Sequence, residues 1–257
     1  MGNILKAKDI AVTCIFTALV CIATISFTIY VPSTRGYFNI GETMIYVAAL
    51  LFGPLIGGVS GGLGSMFADL LLGYYHYAPA TLVIKAIEGF VVGFISRKGI
   101  TLASKGNKRS WQAFSIASGI LTGSLIVIVG SVYYSGYTEL YSSIISAETP
   151  TMVINIPIEF WLGLGITTAL LISIFALTFE PKFGLTIISC ISGGLLMVLG
   201  YFLYEQFFLG VFALAEVPIN MGQMIIGLIV ATPIVKIVGK AIPQVGSCDR
   251  IKKEVQL

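Results

Sequence analysis

Eight apolar runs, at 10–31, 38–53, 55–75, 79–97, 113–134, 153–179, 184–207 and 218–240, follow one another along this chain with only short breaks between them. Runs of this kind cross the roughly 30 Å of a bilayer's hydrocarbon as helices, a few of them only where the helix is short or tilted. The breaks fall where helix-ending or polar residues gather: Pro32, Gly53-Pro54, Pro79, 98–111, 137–150, Pro181 and 210–218. With 56% of its 257 residues hydrophobic and 11% charged, the chain reads as a polytopic all-α membrane protein.

The lysines and arginines fix an expected orientation, because cytoplasmic loops hold them in excess. Of the 15 basic residues, Arg35 falls in an outer loop and Lys85 within a span. The rest fall on one side when both termini are placed in the cytoplasm, giving a multi-pass cell-membrane protein with a cytoplasmic tail over 241–257. A net charge of +3 is accounted for by that topology and does not suggest a nucleic-acid partner. The four cysteines form no CxxC pair and His76 is the single histidine, too few ligands for a thiolate or imidazole metal cage. The opening MGNILK lacks the Ser or Thr at position six of a myristoylation signal, and the first apolar run is too long for a signal peptide, so a retained first helix is expected.

Against this aliphatic background the polar residues inside the spans stand out. Asp69 comes late in the third span, Thr81, Lys85 and Glu88 early to middle in the fourth, Tyr201 and Glu205 late in the seventh, Asn220 and Gln223 early in the eighth. On the expected topology all lie in the outer half of the membrane. Thr81, Lys85 and Glu88 are spaced i, i+4, i+7 and Asn220 and Gln223 i, i+3, so each set forms a stripe on one helix face, and stripes can line a shared cavity. A charge at mid-bilayer costs about 2.5–3.5 kcal/mol on insertion scales and usually faces a bundle interior or a wet cavity. Lys85 and Glu88 therefore either face a ligand or pair with each other or with Asp69, and one arrangement can do both.

Tyr74, Tyr75, His76, Tyr77, Tyr201 and Tyr204 lie at a similar depth. They could stack on a flat ligand or form an aromatic belt at the interface. In the third span Gly57 and Gly61, Gly58 and Gly62, and Gly61 and Ser65 stand four apart, a spacing that lets backbones approach closely inside the bundle or against a partner helix.

Several stretches together resemble the substrate-binding S components of energy-coupling factor (ECF) transporters, the riboflavin/vitamin type: GYFNIGET at 36–43, ALLFGPLIGG at 49–58, Asp69 with GYYHYAPATLVIKAIEG at 73–89, GGLLMVLGYFLYE at 193–205 and VPINMGQMIIGLIVATP at 217–233. The resemblance implies a six-helix core that binds a small polar micronutrient from outside and docks on a membrane-embedded T component driven by two cytoplasmic ATPase subunits. It implies that 32–40 gates the pocket and that Asn39 and Glu42 join Asp69, Tyr74, Tyr77, Thr81, Lys85, Glu88, Tyr201, Glu205, Asn220 and Gln223 around the substrate. Glu42 stands where the shorter Asp is expected. A small-residue face on the first helix would meet the T component, with Cys14 and Ala18, or Ala7 and Ala11, as the nearest matches. On this reading 1–97 holds the first four core helices, 98–183 inserts a basic loop and an extra helical hairpin, and 184–240 holds the last two. The inserted pair resembles the final pair, which would put Asn155 and Glu159 where Asn220 and Gln223 lie.

No Walker A sequence is present, so no cofactor is expected on this chain, and ATP would be used by the partner subunits. A solitary carrier using Asp69, Lys85, Glu88 and Glu205 as an ion or proton relay is the alternative transport reading. An enzyme is not expected. Gly58-Val59-Ser60-Gly61 matches a GxSG intramembrane protease signature, but Ser60 and His76 are sixteen residues apart, about 24 Å along a helix, far beyond the roughly 3 Å a nucleophile and base require.

Overall fold

Gly53 ends one helix and starts the next. It adopts φ +90°, donates its N–H to the Ala49 carbonyl, and is followed by Pro54 at the first helical position, where a missing N–H costs nothing. The computed structural model, which describes residues 7–31, 36–104, 108–133, 135–141, 150–178 and 181–241, has eight α-helices among the described residues. They are α1 (Ala7–Ser26), α2 (Glu42–Phe52), α3 (Pro54–Leu72), α4 (Ala78–Ser104), α5 (Lys108–Tyr133), α6 (Ile158–Thr178), α7 (Pro181–Leu209) and α8 (Glu216–Ala241). A 3₁₀ turn, Gly210–Ala215, leads from α7 into α8. The tail from 242 onward and residues 32–35 of the expected gate lie outside the described residues.

The all-α polytopic architecture is as expected, and two apolar runs divide in a way that hydropathy did not foretell. Among the described residues, Ala7–Ser26, Pro54–Leu72, Ala78–Ile100, Gly184–Leu209 and Glu216–Ala241 are long and apolar enough to cross a bilayer. The run at 10–31 stops being helical at Ser26, and β1 (Thr28–Val31) pairs antiparallel with β2 (Gly36–Asn39), Ile29 opposite Phe38. These β-branched and aromatic residues suit a pleated ribbon as well as they suit lipid. The run at 38–53 therefore keeps only α2, 11 residues or about 16 Å long, half a membrane's thickness. The run at 153–179 divides likewise: β4 (Pro150–Ile156) pairs with β3 (Gly136–Tyr141), and the helix begins after Pro157.

The second ribbon also corrects the expected match between hairpins. α5 and α6 are joined through a β-ribbon and α7 and α8 through a 3₁₀ turn. Asn155 sits exposed in β4 and Glu159 exposed in the first turn of α6, whereas Asn220 and Gln223 are buried in α8.

Short as it is, α2 is the centre of the bundle, contacting α1, α3, α4 and α8 and buried at all but two of its residues, Met44 and Phe52. A helix covered on every side needs no polar stripe, and here the polar groups sit at one end, at Glu42 and Thr43. The glycine spacing of α3 serves this interior. A Cβ on Gly57 would fall 2.6 Å from Ala49 Cα, on Gly58 3.0 Å from the Ala86 carbonyl, and on Gly62 2.6 Å from the Leu82 carbonyl. The backbones of α2, α3 and α4 thus approach as closely as dispersion allows. Gly64 turns to α1, where a Cβ would lie 2.6 Å from the Thr17 carbonyl.

Candidate functional site

At the end of the bundle where β1 and β2, the α3–α4 turn and the α7–α8 connection meet, the helices leave a cavity with about 380 Å³ of empty space, counting the part open to solvent. A larger hollow on the outer surface of α3 and α4 is lined by apolar side chains alone, among them Leu55, Leu63 and Phe90, and offers nothing to orient a polar ligand.

The floor of the polar cavity is an ion cluster. Lys85, on α4 and 3% exposed, pairs with Glu42 at the start of α2 and lies 3.3 Å from Glu88 Oε2 one turn along its own helix. Glu42 gains from the N-terminal end of the α2 dipole, and Glu88 Oε1 accepts a hydrogen bond from the Tyr46 hydroxyl at 3.1 Å. The ammonium also stands 5.4 Å from the centre of the Tyr201 ring, within cation–π reach. The two readings of Lys85 therefore coincide: it is paired, and it lines the cavity.

The walls are built from hydrogen-bonded pairs across elements. Tyr201 of α7 donates to Thr81 Oγ1 of α4 at 3.0 Å. Tyr37 of β2 donates to Asp69 Oδ1 of α3 at 2.5 Å, and Tyr77 donates to Glu205 Oε1 of α7 at 3.3 Å. Burial first, and then the neighbouring carboxylates, push the Tyr37 and Tyr77 phenols well above the usual tyrosine range, so both remain donors. On α8, Gln223 spends both ends of its amide, its Nε2 on Asn220 Oδ1 at 2.7 Å and its Oε1 on the Asn39 backbone N–H at 2.9 Å. Asn39 Oδ1 in turn accepts from the Gly41 N–H at 2.9 Å. This chain of bonds ties the β1–β2 ribbon to α8 and holds it beside the cavity.

Nine of the twelve residues expected around a substrate line this cavity: Asn39, Asp69, Tyr77, Thr81, Lys85, Tyr201, Glu205, Asn220 and Gln223. Glu42 and Glu88 lie beneath it as partners of Lys85. Tyr74 packs behind it, its ring 4.7 Å from that of Tyr37. Tyr75 is 69% exposed and fits the belt reading. His76 packs against Tyr77 and edge-on against Phe208, and its carbonyl accepts from the Tyr204 hydroxyl.

Gly36, Tyr37 and Glu216 also line the cavity, and sequence reasoning had not singled them out. For Glu216 the signal was present: with Asn220 and Gln223 it repeats the i, i+4, i+7 spacing of Thr81, Lys85 and Glu88. It precedes the eighth apolar run, where a charge needs no special reason. Tyr37 carried no periodic signal, since its strand is four residues long.

Away from the cavity, Ala11, Cys14 and Ala18 lie exposed along one side of α1. At the opposite end of the bundle, Arg97 of α4 donates to the Phe52 carbonyl at the α2–α3 corner. Ser60 is buried in α3 and donates to the Ile56 carbonyl at 2.5 Å, a helix back-bond that leaves it no catalytic partner in His76.

Comparison with known proteins places this architecture. The family model of the ECF-type riboflavin transporter S component matches residues 4–175, which takes in α1 through most of α6 and stops before α7. An uncharacterized protein of Pyrococcus woesei is 38% identical over 142 residues, 52% of this chain and 88% of that one. The thiamine precursor transporter HmpT of Lactococcus lactis subsp. cremoris is 24% identical over 127 residues, 49% of this chain and 69% of its own. No solved structure matches.

Proposed function

The chain belongs to the family of S components of ECF-type riboflavin transporters, and from that premise we propose that it captures a vitamin or related small polar micronutrient from outside the cell and delivers it for ATP-driven uptake by partner subunits. The observation that carries this reading is the cavity itself, polar and fed by five separate elements, at the end of the bundle away from most of the basic residues. With both termini cytoplasmic, as the basic residues favour, that end faces outward. A transporter subunit of this kind is not an enzyme, and Ser60 has no catalytic role in it.

Substrate enters beside the β1–β2 ribbon and replaces water against the Tyr, Asn and Gln side chains. The ribbon, held by Gln223 at the Asn39 N–H, then closes the entrance. Energy comes from a T component and two cytoplasmic ATPase subunits, and the exposed small residues Ala11, Cys14 and Ala18 of α1 are the surface on which the T component docks. Small side chains let helix backbones approach closely in lipid.

Native mass spectrometry of the tagged protein, gently extracted from its own host, tests the proposal. Copurification of a T component with two ATPase subunits supports it, and a retained small-molecule mass identifies the substrate. A bare chain, together with uptake that collapses with the proton gradient, would replace it with a solitary carrier.

A further inference from the structure

The charges around the cavity do not balance. Among the described residues, the buried carboxylates Glu42, Asp69, Glu88 and Glu205 share the bundle with one buried ammonium, Lys85. Lys85 is engaged by Glu42 and Glu88 on the cavity floor. Asp69 and Glu205, on the walls, are held in the same unusual way. Each is 3% exposed or less, each has one oxygen bonded to a tyrosine hydroxyl, and each has its second oxygen, Asp69 Oδ2 and Glu205 Oε2, buried with no hydrogen-bond partner. Both side chains line the cavity. A buried carboxylate oxygen with no partner is costly in a low-dielectric interior, and two of them belong to side chains that line one hollow.

We propose that the substrate supplies the missing cation: the chain takes a nitrogen heterocycle that carries a positive charge, its cationic group seated against Glu205 and Asp69. This rests on the reading that the cavity is where substrate is captured. It departs from the uncharged flavin in the family's description, and it makes Glu205 and Asp69 the residues that decide specificity by charge. Tyr201 and Tyr77, also in the lining, suit such a ligand because a cationic ring is attracted to aromatic faces. A bare metal ion fits less well, since among the described residues no three His, Cys, Asp or Glu side chains converge on one point.

The test is binding to the full chain in lipid nanodiscs with probes that separate charge from shape: 1-methylnicotinamide against uncharged nicotinamide, and thiamine, whose thiazolium is permanently positive, against uncharged riboflavin. The expected result is that the cationic member of at least one pair binds at least tenfold more tightly than its uncharged counterpart. Glu205→Gln and Asp69→Asn should each weaken that cation tenfold to about a hundredfold, the loss of one charge-assisted contact, and weaken it by more than they weaken its uncharged counterpart. A tenfold preference for the cation in neither pair, no cation binding at all, or cation affinity that survives both substitutions would overturn the inference and make the two wall carboxyls neutral acids. The wild-type comparison needs no variant to fold. If the T component and ATPase subunits still copurify when the charge preference is absent, only this inference fails and the S-component reading stands.

Discussion

Replacing Lys85 by methionine should be among the most destabilising single changes that leave the cavity's shape intact. Methionine is close to lysine in length and volume, so the change removes a charge and little packing. It leaves Glu42 and Glu88, both 0% exposed, without the ammonium between them. Removing one member of a buried ion pair costs about 3–5 kcal/mol because the remaining charge is stranded. At about 2–4 °C per kcal/mol for chains of this size, the midpoint of thermal unfolding in detergent should fall by about 6–20 °C with no ligand added. The triple variant Lys85→Met/Glu42→Gln/Glu88→Gln removes the whole cluster while keeping an acceptor for the Tyr46 hydroxyl, and it should recover more than half of the loss. A single variant that melts within about 2 °C of wild type, or a triple variant that melts no higher than the single, would refute the argument that charge compensation, and not shape, holds this floor together.

Three further outcomes follow from the same geometry. Gln223→Leu removes the acceptor of the Asn39 N–H. Losing a buried partner costs about 1–3 kcal/mol, so deuterium exchange at 36–39 should quicken by about tenfold or more while exchange in α3 is unchanged; equal exchange in the ribbon would show that Gln223 does not hold it. Gly62→Ala puts a methyl group 2.6 Å from the Leu82 carbonyl, a backbone atom of the next helix. It should cost about 1–3 kcal/mol as a lowered unfolding midpoint, whereas Gly163→Ala, with open space around it, should be neutral; similar midpoints for the two would undo the close-packing account. Tyr77→Phe takes the donor from Glu205 Oε1 and should weaken retention of the copurified ligand by about tenfold, read by native mass spectrometry, with unchanged retention counting against a role for this pair.

Much of the site was legible because membrane burial is so selective. In an apolar chain each ionisable residue within a span demands a reason, and Lys85, Glu88, Asp69 and Glu205 were found by that test alone. The i, i+4, i+7 spacing on the fourth span and i, i+3 spacing on the eighth put side chains on one face whatever the tertiary structure, and those faces meet at the cavity. Tyr37 was not legible: it is brought to Asp69 by a four-residue ribbon whose residues are as apolar as the helices around it.

The sequence by itself determined the class of protein, most of its helices and the helix faces that carry polar groups, because hydropathy and helical period are local properties that act before any two helices touch. It also singled out the glycine spacing of α3, but not what that spacing packs against. Only the tertiary structure decided that Glu42, and not Asp69, joins Glu88 in neutralising Lys85. It alone showed that α2 is a short central plug, and that Asp69 and Glu205, on different helices and both away from Lys85's ion pairs, each keep one oxygen without a hydrogen-bond partner. Those are statements about distances between residues remote in the chain, and they depend on which backbones approach closely enough to exclude both lipid and water.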